Sequence, residues 1–543
     1  MNNSIYNFEA PENEPIKEYL KGSPERVALD AELKRQSSEQ LEIPLIIGGK
    51  EVFTGETGKV VMPHNHKHTL AIYHKAGKKE IKDAIAASMA AHKAWANLSW
   101  VTRATILLKA ADLITIKYRA TLSAATMLGQ SKNIYQSEID AICETADFIR
   151  FNVAFASNIY KTQPSSFPNQ LNRLEYRPLE GFIFALSPFN FTSIAANLNL
   201  APVMMGNTTV WKPATTAILS NYYLMKIFIE AGVPAGVINF LPGSGALIGE
   251  HVLASKDLAG IHFTGSNDTF NTLWKNVADN LTNYKSYPRL VGETGGKDFI
   301  FAHPSSNPKE IATAAFCGAF EFQGQKCSAA SRMYIPESLW ADFKKEILAI
   351  NKTVTMGDVT DHSNFVNAVI DKTSFENIKS YIDYAKQSKD ATILFGGNLD
   401  DSKGYFVEPT IIVTTDPKFK SIQEEIFGPV LTIYIYPDNK LEETLELCDN
   451  TSPYGLTGAV FGTDRVAVES MCEKLRYAAG NFYINDKPTG AVVGKQPFGG
   501  SRASGTNDKA GGEFNLIRWV SPRTIKETFM PSTDILYSYM KES

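Results

Sequence analysis

Two periodicities divide the chain. Over residues 79–96 and again over 103–118, apolar positions recur three and four apart, as with Ile106, Ala110 and Leu113, which is the stripe of an amphipathic helix packed on one face. Between Gly181 and Glu293 the pattern changes to short β-rich runs at 182–186, 208–211, 237–241 and 258–263. Helical spacing returns between them, as at Ile218, Tyr222, Met225 and Ile229. Strands alternating with helices predict parallel βαβ units and a doubly wound α/β sheet whose ligand lies beyond the carboxyl ends of the strands. A second stretch, 297–480, with strands at 332–335 and 430–436, has room for another α/β domain. Segments 170–177 and 518–528 alternate apolar and polar residues, as edge hairpins do. Residues 1 to about 50 are polar and helix-prone and read as an extension wrapped on the body, without chemistry of their own.

Composition narrows the function classes. The 543 residues, 44% hydrophobic and 21% charged, fit a folded protein of two to four domains. Fifty-four basic against 58 acidic side chains leave a formal charge of −4, so no basic field exists to hold nucleic acid or an anionic membrane. Apolar runs such as 181–186 stop far short of a membrane span. Residues 1–15 lack a basic and apolar leader pattern and carry Glu9, Glu12 and Glu14, so the expectation is a cytoplasmic protein, or one of the mitochondrial matrix if a presequence has been removed. Five cysteines without a C-x-x-C pair support neither a disulfide framework nor a cysteine zinc site, and suit a reducing compartment.

Several short segments have chemical potential beside a plain structural reading. Gly243, Gly245 and Gly249 are spaced one residue too wide for a dinucleotide fingerprint, and 292–298 (GETGGKD) lacks the spacing and hydroxyl of a P-loop. Phe263-Thr264-Gly265-Ser266 follows an apolar strand, with Ser266 set to cap a helix running through Trp274 toward Leu281; such a terminus binds anions, or is simply a cap. Cys327, beside Lys326, reads as a low-pKa nucleophile or an inert thiol. Glu293, ending a strand before Gly295 and Gly296, reads as a general base or a cap. Asn190 in 187–191 (SPFNF) stands at a strand-to-helix turn, where its amide can donate to an oxyanion or merely turn the chain. His64, His66 and His68 follow Pro63 and read as a solvated loop rather than a metal site; no metal is expected.

Together and in this order, SPFNF at 187–191, WKPA at 211–214, FTGS at 263–266, GETGGK at 292–297, GQKCSA at 324–329, EEIFGPV at 424–430 and PFGGSRASG at 497–505 resemble the aldehyde dehydrogenase superfamily over nearly the whole chain. Residues 480–512, with the tail SPRTIKET, resemble more narrowly its proline-catabolic branch, which oxidises L-glutamate γ-semialdehyde to glutamate. The resemblance implies NAD as cofactor, Cys327 as nucleophile, the Asn190 amide and the Cys327 N–H as oxyanion donors, and Glu293 as the base that hydrolyses the thioester left after hydride transfer. It places Lys212 on the adenosine ribose, Gly265, Ser266 and Thr269 at the pyrophosphate, Glu425 on the nicotinamide ribose, and Ser187 and Phe427 along that channel. For the substrate it implies Ser328, Gly490 and Ala491 at the α-carboxylate and Phe191 and Phe498 along the aliphatic chain; Glu144 is the candidate for the ammonium, or a solvated helix-face residue. Thr215 replaces the Glu that many NAD-specific relatives use against a 2′-phosphate, and Thr294 replaces a usual Leu. The implied architecture is a Rossmann-type cofactor domain (1–159 and 181–292), an α/β catalytic domain (293–485) and an oligomerisation flap (160–180 and 510–543). Unpaired flap edges favour a dimer or larger homo-oligomer. The alternatives are a dehydrogenase of another carboxylated aldehyde such as succinate semialdehyde, a CoA-acylating member, against which Glu293 speaks, and a non-catalytic protein on this fold, against which Cys327, Glu293, Asn190 and Lys212 speak together.

Overall fold

The computed structural model describes residues 8, 9 and 11–541; the first residues of the segment read above for a leader, and the last two of the tail, lie outside it. The β-rich runs of the first half form one seven-stranded sheet. Five strands lie parallel in the spatial order Arg289–Glu293, Leu258–Thr264, Phe182–Leu186, Thr208–Lys212 and Ile238–Phe240. Leu45–Ile47 then joins antiparallel to Ile238–Phe240, and Lys50–Val52 antiparallel to that. Residues Phe182, Ile183, Phe184 and Ala185 are wholly buried, as expected of a central parallel strand covered by helices on both faces. The register aligns Thr264 with Glu293, Phe263 with Leu186, and Leu186 with Lys212, so the carboxyl ends of four strands deliver Glu293, Thr264, Ser187 and Lys212 to one edge of the sheet.

The second sheet has the order Ala391–Phe395, Thr410–Thr414, Val430–Tyr436, Ala330–Pro336, Asp298–Ala302, Thr457–Phe461 and Asn481–Ile484, parallel except for its first pair. Here the chemistry sits at strand starts: Cys327 precedes Ala330–Pro336, Glu425 and Phe427 precede Val430–Tyr436, and Gly295 and Gly296 precede Asp298–Ala302. The chain passes from the first sheet to the second within residues 294–297, directly after Glu293. The carboxyl ends of one sheet thus meet the amino ends of the other.

Three expectations are corrected. Segments 170–177 and 518–528 are not separate hairpins. Gln170–Pro178 and Val520–Thr528 pair with each other antiparallel, Gln170 opposite Thr528, in a two-stranded ribbon whose alternation reflects one half-covered face. His64, His66 and His68 are not a solvated loop. His64 is 1% exposed with its ring nitrogen 3.3 Å from Ser131 Oγ, and the strand Asn65–His74 carries the other two, His66 stacked on Tyr405. Among the described residues no group of three or more His, Cys, Asp or Glu side chains is placed to hold a metal. The N-terminal extension is more than a wrapping: Leu45–Ile47 completes the first sheet, and Glu14 bridges Arg119 at 2.8 Å and Arg150 at 2.7 Å.

The helix expected over 103–118 spans Trp100–Asp112 and ends in a wide turn at Leu113–Lys117, where the Tyr118 N–H reaches back five residues to the Leu113 carbonyl. Among the described residues no helix is long and apolar enough to cross a membrane.

Candidate active site

A cavity of about 320 Å³ opens at the seam between the sheets, and its lining includes Cys327, Ser328, Glu293, Phe191, Phe498, Glu144, Gly490 and Ala491. Of the nine residues expected around the substrate, all but Asn190 line this one space.

Cys327 is held by a turn in which Phe322, Gln323 and Gly324 all take left-handed φ values of 49°, 55° and 64°. Each non-glycine residue so placed costs about 1–3 kcal/mol and persists only where its surroundings over-determine it. They do: the Gln323 amide donates to the Ser131 and Ala368 carbonyls at 3.0 and 2.9 Å, and a Cβ on Gly324 would lie 2.3 Å from the Gly428 carbonyl oxygen. The expected low-pKa thiol is not what this turn presents. Lys326 is turned to Glu321 at 2.9 Å, and burial, with Glu293, Asp298 and Glu425 nearby, pushes the Cys327 thiol well above its ordinary value. That shift favours the thiol over the thiolate in the free protein.

Glu293 ends its strand with Oε1 buried and without a hydrogen-bond partner. Burial pushes its carboxyl up to about 8, with the Lys509 ammonium pulling the other way. The neighbouring backbone is stitched to the 497–512 loop: the Thr294 N–H donates to the Ser504 carbonyl, and the Thr294 hydroxyl donates to that of Ala503 at 2.6 Å. That second bond is what Thr294 supplies and a leucine would not. Lys509, which the sequence does not reveal, ties this loop down by donating to the Gly480 and Gly499 carbonyls at 2.7 and 3.0 Å.

Asn190 is 2% exposed, and its amide donates to the Gln325 carbonyl at 3.1 Å, two residues before Cys327. The structure therefore brings the amide to the nucleophile's turn. Phe191 is the last residue before the helix Thr192–Met204, and Phe498 is fixed by reciprocal backbone bonds with Ala510. The Ser328 hydroxyl lies 2.8 Å from that of Thr489, and Gly490 has φ +95°, a backbone that glycine takes without a side-chain clash. Glu144 is not a solvated helix-face residue. It accepts the Ser193 hydroxyl at 2.9 Å, and burial together with the Asp140 charge pushes it up to about 8, so it holds a full charge at neutral pH only with a cation beside it.

The expected cofactor residues lie outside this cavity's wall, along the edge where the first sheet's strands end. The Lys212 ammonium has no hydrogen-bond or ion-pair partner among the described residues, and burial lowers its pKa. A half-buried cation without a protein partner is open to a polar acceptor, and ribose hydroxyls meet that need. Ser266 caps the helix Asn267–Asp279, accepting the Thr269 N–H, with the two hydroxyls 2.9 Å apart at an exposed positive helix end that suits a pyrophosphate. The Gly265 N–H is not free for that purpose, since it donates to the Glu293 carbonyl at 3.1 Å. Ser187 accepts the Trp211 indole N–H at 3.0 Å. Glu425 accepts the Gly296 N–H at 2.8 Å, and a Cβ on Gly295 would stand 2.4 Å from its carboxylate, so a side chain there would push that carboxylate aside. Phe427, at φ +57°, packs edge-on against Phe189. These features fit the cofactor that the sequence implies.

Sequence reasoning also missed the contribution of the N-terminal segment, whose Asn13 and Glu14 reach the cavity wall, and that of Lys326 and Glu321. No local motif marks the first pair; the adjacency of Lys326 to Cys327 is a signal for the second.

Comparison with known proteins agrees with this geometry. The family model described as "Aldehyde dehydrogenase family" matches residues 53–525. A protein of Dictyostelium discoideum named mitochondrial delta-1-pyrroline-5-carboxylate dehydrogenase is 53% identical over 537 residues, 98% of this chain and 96% of the relative. A human protein of the same name is 48% identical over 97% of this chain and 94% of its own length. The crystal structure of the Mycobacterium tuberculosis delta-pyrroline-5-carboxylate dehydrogenase bound with NAD superposes with a TM-score of 0.96 at 49% identity, over 99% of this chain and 100% of that one. With a thiol, a carboxyl and an amide set at the meeting edge of two sheets, and with these similarities running the length of the chain, this protein belongs to the aldehyde dehydrogenase family.

Proposed function

We propose that the chain oxidises L-glutamate γ-semialdehyde, the open form of 1-pyrroline-5-carboxylate, to L-glutamate with NAD and water, in proline catabolism. The observation that carries this reading is the cavity itself, whose lining includes Cys327 and Glu293 together with Ser328, Gly490, Ala491 and Glu144. The relatives' names and the NAD-bound neighbour point to the same reaction.

In this reading Cys327 attacks the aldehyde carbon, and the thiol proton passes to solvent water as the carbon–sulfur bond forms. The Asn190 amide keeps one N–H on the Gln325 carbonyl and offers its other to the new oxyanion, and the Cys327 N–H supplies the second donor. When bound, NAD accepts hydride from that carbon. Glu293, as carboxylate, takes a proton from water, which cleaves the thioester and frees the thiol. Backbone N–H groups at Gly490 and Ala491 with the Ser328 hydroxyl bind the α-carboxylate, Phe191 and Phe498 flank the methylenes, and Glu144 pairs with the α-ammonium. Lys212, Ser266, Thr269, Glu425, Ser187, Phe427 and the turn at Gly265 hold the cofactor.

The same reading assigns 1–159 and 181–292 to the cofactor domain, 293–485 to the catalytic domain, and 160–180 with 510–543 to a flap. Gln163 and Ser166 side chains bond the outer edge of Gln170–Pro178, and the other edge, along Val520–Thr528, supports pairing with a second subunit. Five free cysteines suit the cytoplasm, or the mitochondrial matrix, mitochondria being in the names of the Dictyostelium and human relatives.

The test compares reduced-cofactor formation from L-glutamate γ-semialdehyde and succinate semialdehyde, each with NAD and NADP. Preference for the amino-bearing substrate with NAD is expected. Equal or better turnover of succinate semialdehyde would retract the substrate assignment while keeping the family chemistry.

A further inference from the structure

The corner carrying Asn190 and Phe191 opens the helix Thr192–Met204, and Phe191, at the capping position, has no side-chain acceptor for the free N–H groups of the first turn. A carboxylate about fifty residues earlier in the chain takes that role. Asp140 accepts the Thr192 N–H at 3.0 Å on Oδ2 and the Ser193 N–H at 2.8 Å on Oδ1. Its charge is balanced by Lys132, whose ammonium lies 2.6 Å away; the side chains are 0% and 1% exposed for Lys132 and Asp140. The same ammonium stands 4.1 Å from the centre of the Phe191 ring and 4.3 Å from that of Phe322. Phe322 opens the left-handed turn that leads to Cys327. One buried cation therefore touches both the segment of the Asn190 amide and the segment of the nucleophile.

A buried ion pair is weak evidence of stabilisation, because desolvation cancels most of the attraction; what it fixes is geometry. We propose that Lys132 and Asp140 are positioning residues for the reaction: Asp140 caps the helix that follows Asn190, and Lys132 clamps Phe191 against Phe322, so that the amide and the thiol share one rigid frame. The proposal rests on the reading of Asn190 as oxyanion donor. Neither side chain lines the substrate cavity, and the pair positions the amide and the thiol through the corner.

The test is a double-mutant cycle on the first burst of reduced cofactor. Lys132→Met/Asp140→Asn removes both charges together, so neither is left buried alone. The burst rate is expected to fall about 10–100-fold, the range for a misplaced oxyanion donor, while the NAD dissociation constant stays within about twofold. Added to Asn190→Ala, the same pair of changes should cost less than about twofold more, because the group it positions is already gone. A wild-type burst in the Lys132→Met/Asp140→Asn chain, or an equal fold-loss in the Asn190→Ala background, overturns the proposal; the second outcome assigns the pair a general structural role. Asn190→Ala measured alone separates the underlying reading, since an undiminished burst there removes Asn190 from the oxyanion site and the proposal with it. If the doubly substituted chain does not fold, Thr192→Pro is compared with Thr192→Val. Both lose the hydroxyl, only proline loses the N–H that Asp140 accepts, and proline is tolerated at a first helical position. A burst about tenfold slower for proline than for valine supports the cap, and equal rates overturn it.

Discussion

Replacing Glu293 by Gln separates the two halves of the proposed reaction. The carboxyl sits at about 8 because burial disfavours its charge and Lys509 only partly compensates. A group with that midpoint is about one-tenth carboxylate at pH 7 and about nine-tenths at pH 9, so thioester hydrolysis by the native chain should rise about ninefold between them. Glutamine keeps the shape and cannot take a proton. The expected loss in the hydrolytic step is about 10²–10⁴-fold, the usual contribution of a positioned base, together with loss of the rise near pH 8. Stopped-flow absorbance of the reduced nicotinamide should show a burst of one equivalent per site followed by a nearly flat steady state, and intact mass spectrometry should show the acyl group retained on Cys327. An unchanged steady-state rate refutes the role of base. A native profile that is flat from pH 7 to 9, with hydrolysis shown to be rate-limiting, refutes the electrostatic argument even if the residue matters.

The same substitution has a stability signature of fixed sign. Because the folded value of about 8 lies above the ordinary 4.5, native Glu293 binds its proton more tightly when folded, and its contribution falls as pH rises through that window. The Gln chain should therefore gain on the native one in urea melts from about pH 5 upward, with the difference levelling above about pH 8; a constant difference would contradict the burial effect. Cys327→Ala should abolish turnover and leave NAD affinity within about twofold by calorimetry, since sulfur supplies covalent chemistry rather than cofactor contacts. Thr215, which opens the short turn after Lys212, leaves no negative charge there to repel a 2′-phosphate, and Thr215→Glu should lower kcat/KM with NADP at least about tenfold while sparing NAD. Gly490→Ala strains a φ of +95° in the carboxylate-binding turn and should raise KM for L-glutamate γ-semialdehyde about tenfold, with little change for acetaldehyde, which has no carboxylate to place.

The strands 182–186 and 430–436 are legible to the residue, because central parallel strands buried on both faces read as unbroken apolar runs with sharp polar ends. The active-site motifs are legible for a related reason: each stands at a strand end or start, where the parallel register assembles them. The misreadings share a different cause. His64 looks solvated beside Pro63, yet Ser131 and Asp358 close over it from far along the chain. The alternation of 170–177 reveals a half-covered strand and not its partner, which lies about 350 residues away. The Lys326 charge beside Cys327 suggests an activated thiol, and only the fold shows that charge committed to Glu321. The Lys132–Asp140 pair carries no signature at all. Eight residues apart, across the loop and widened helix of 138–144, the two meet through a path that no regular helical spacing describes.

Leu45–Ile47, the strand that joins the first sheet antiparallel at its edge, has a consequence for how the protein is made. Its hydrogen-bonded neighbour, Ile238–Phe240, is synthesised 193 residues later, and Asn207 in the same sheet also awaits the carbonyl of Trp519, near the end of the chain. Lys50–Val52 gives it a hairpin partner at once, but at about 5–20 residues per second Leu45–Ile47 waits about 10–40 s on the ribosome for its inner neighbour. During that interval an apolar strand with one unpaired edge is available to chaperones and to neighbouring nascent chains. The burden of avoiding misassembly then falls on the speed of translation through the first half of the message, and slow codons between residues 50 and 240 should lower soluble yield more than the same codons placed after 300.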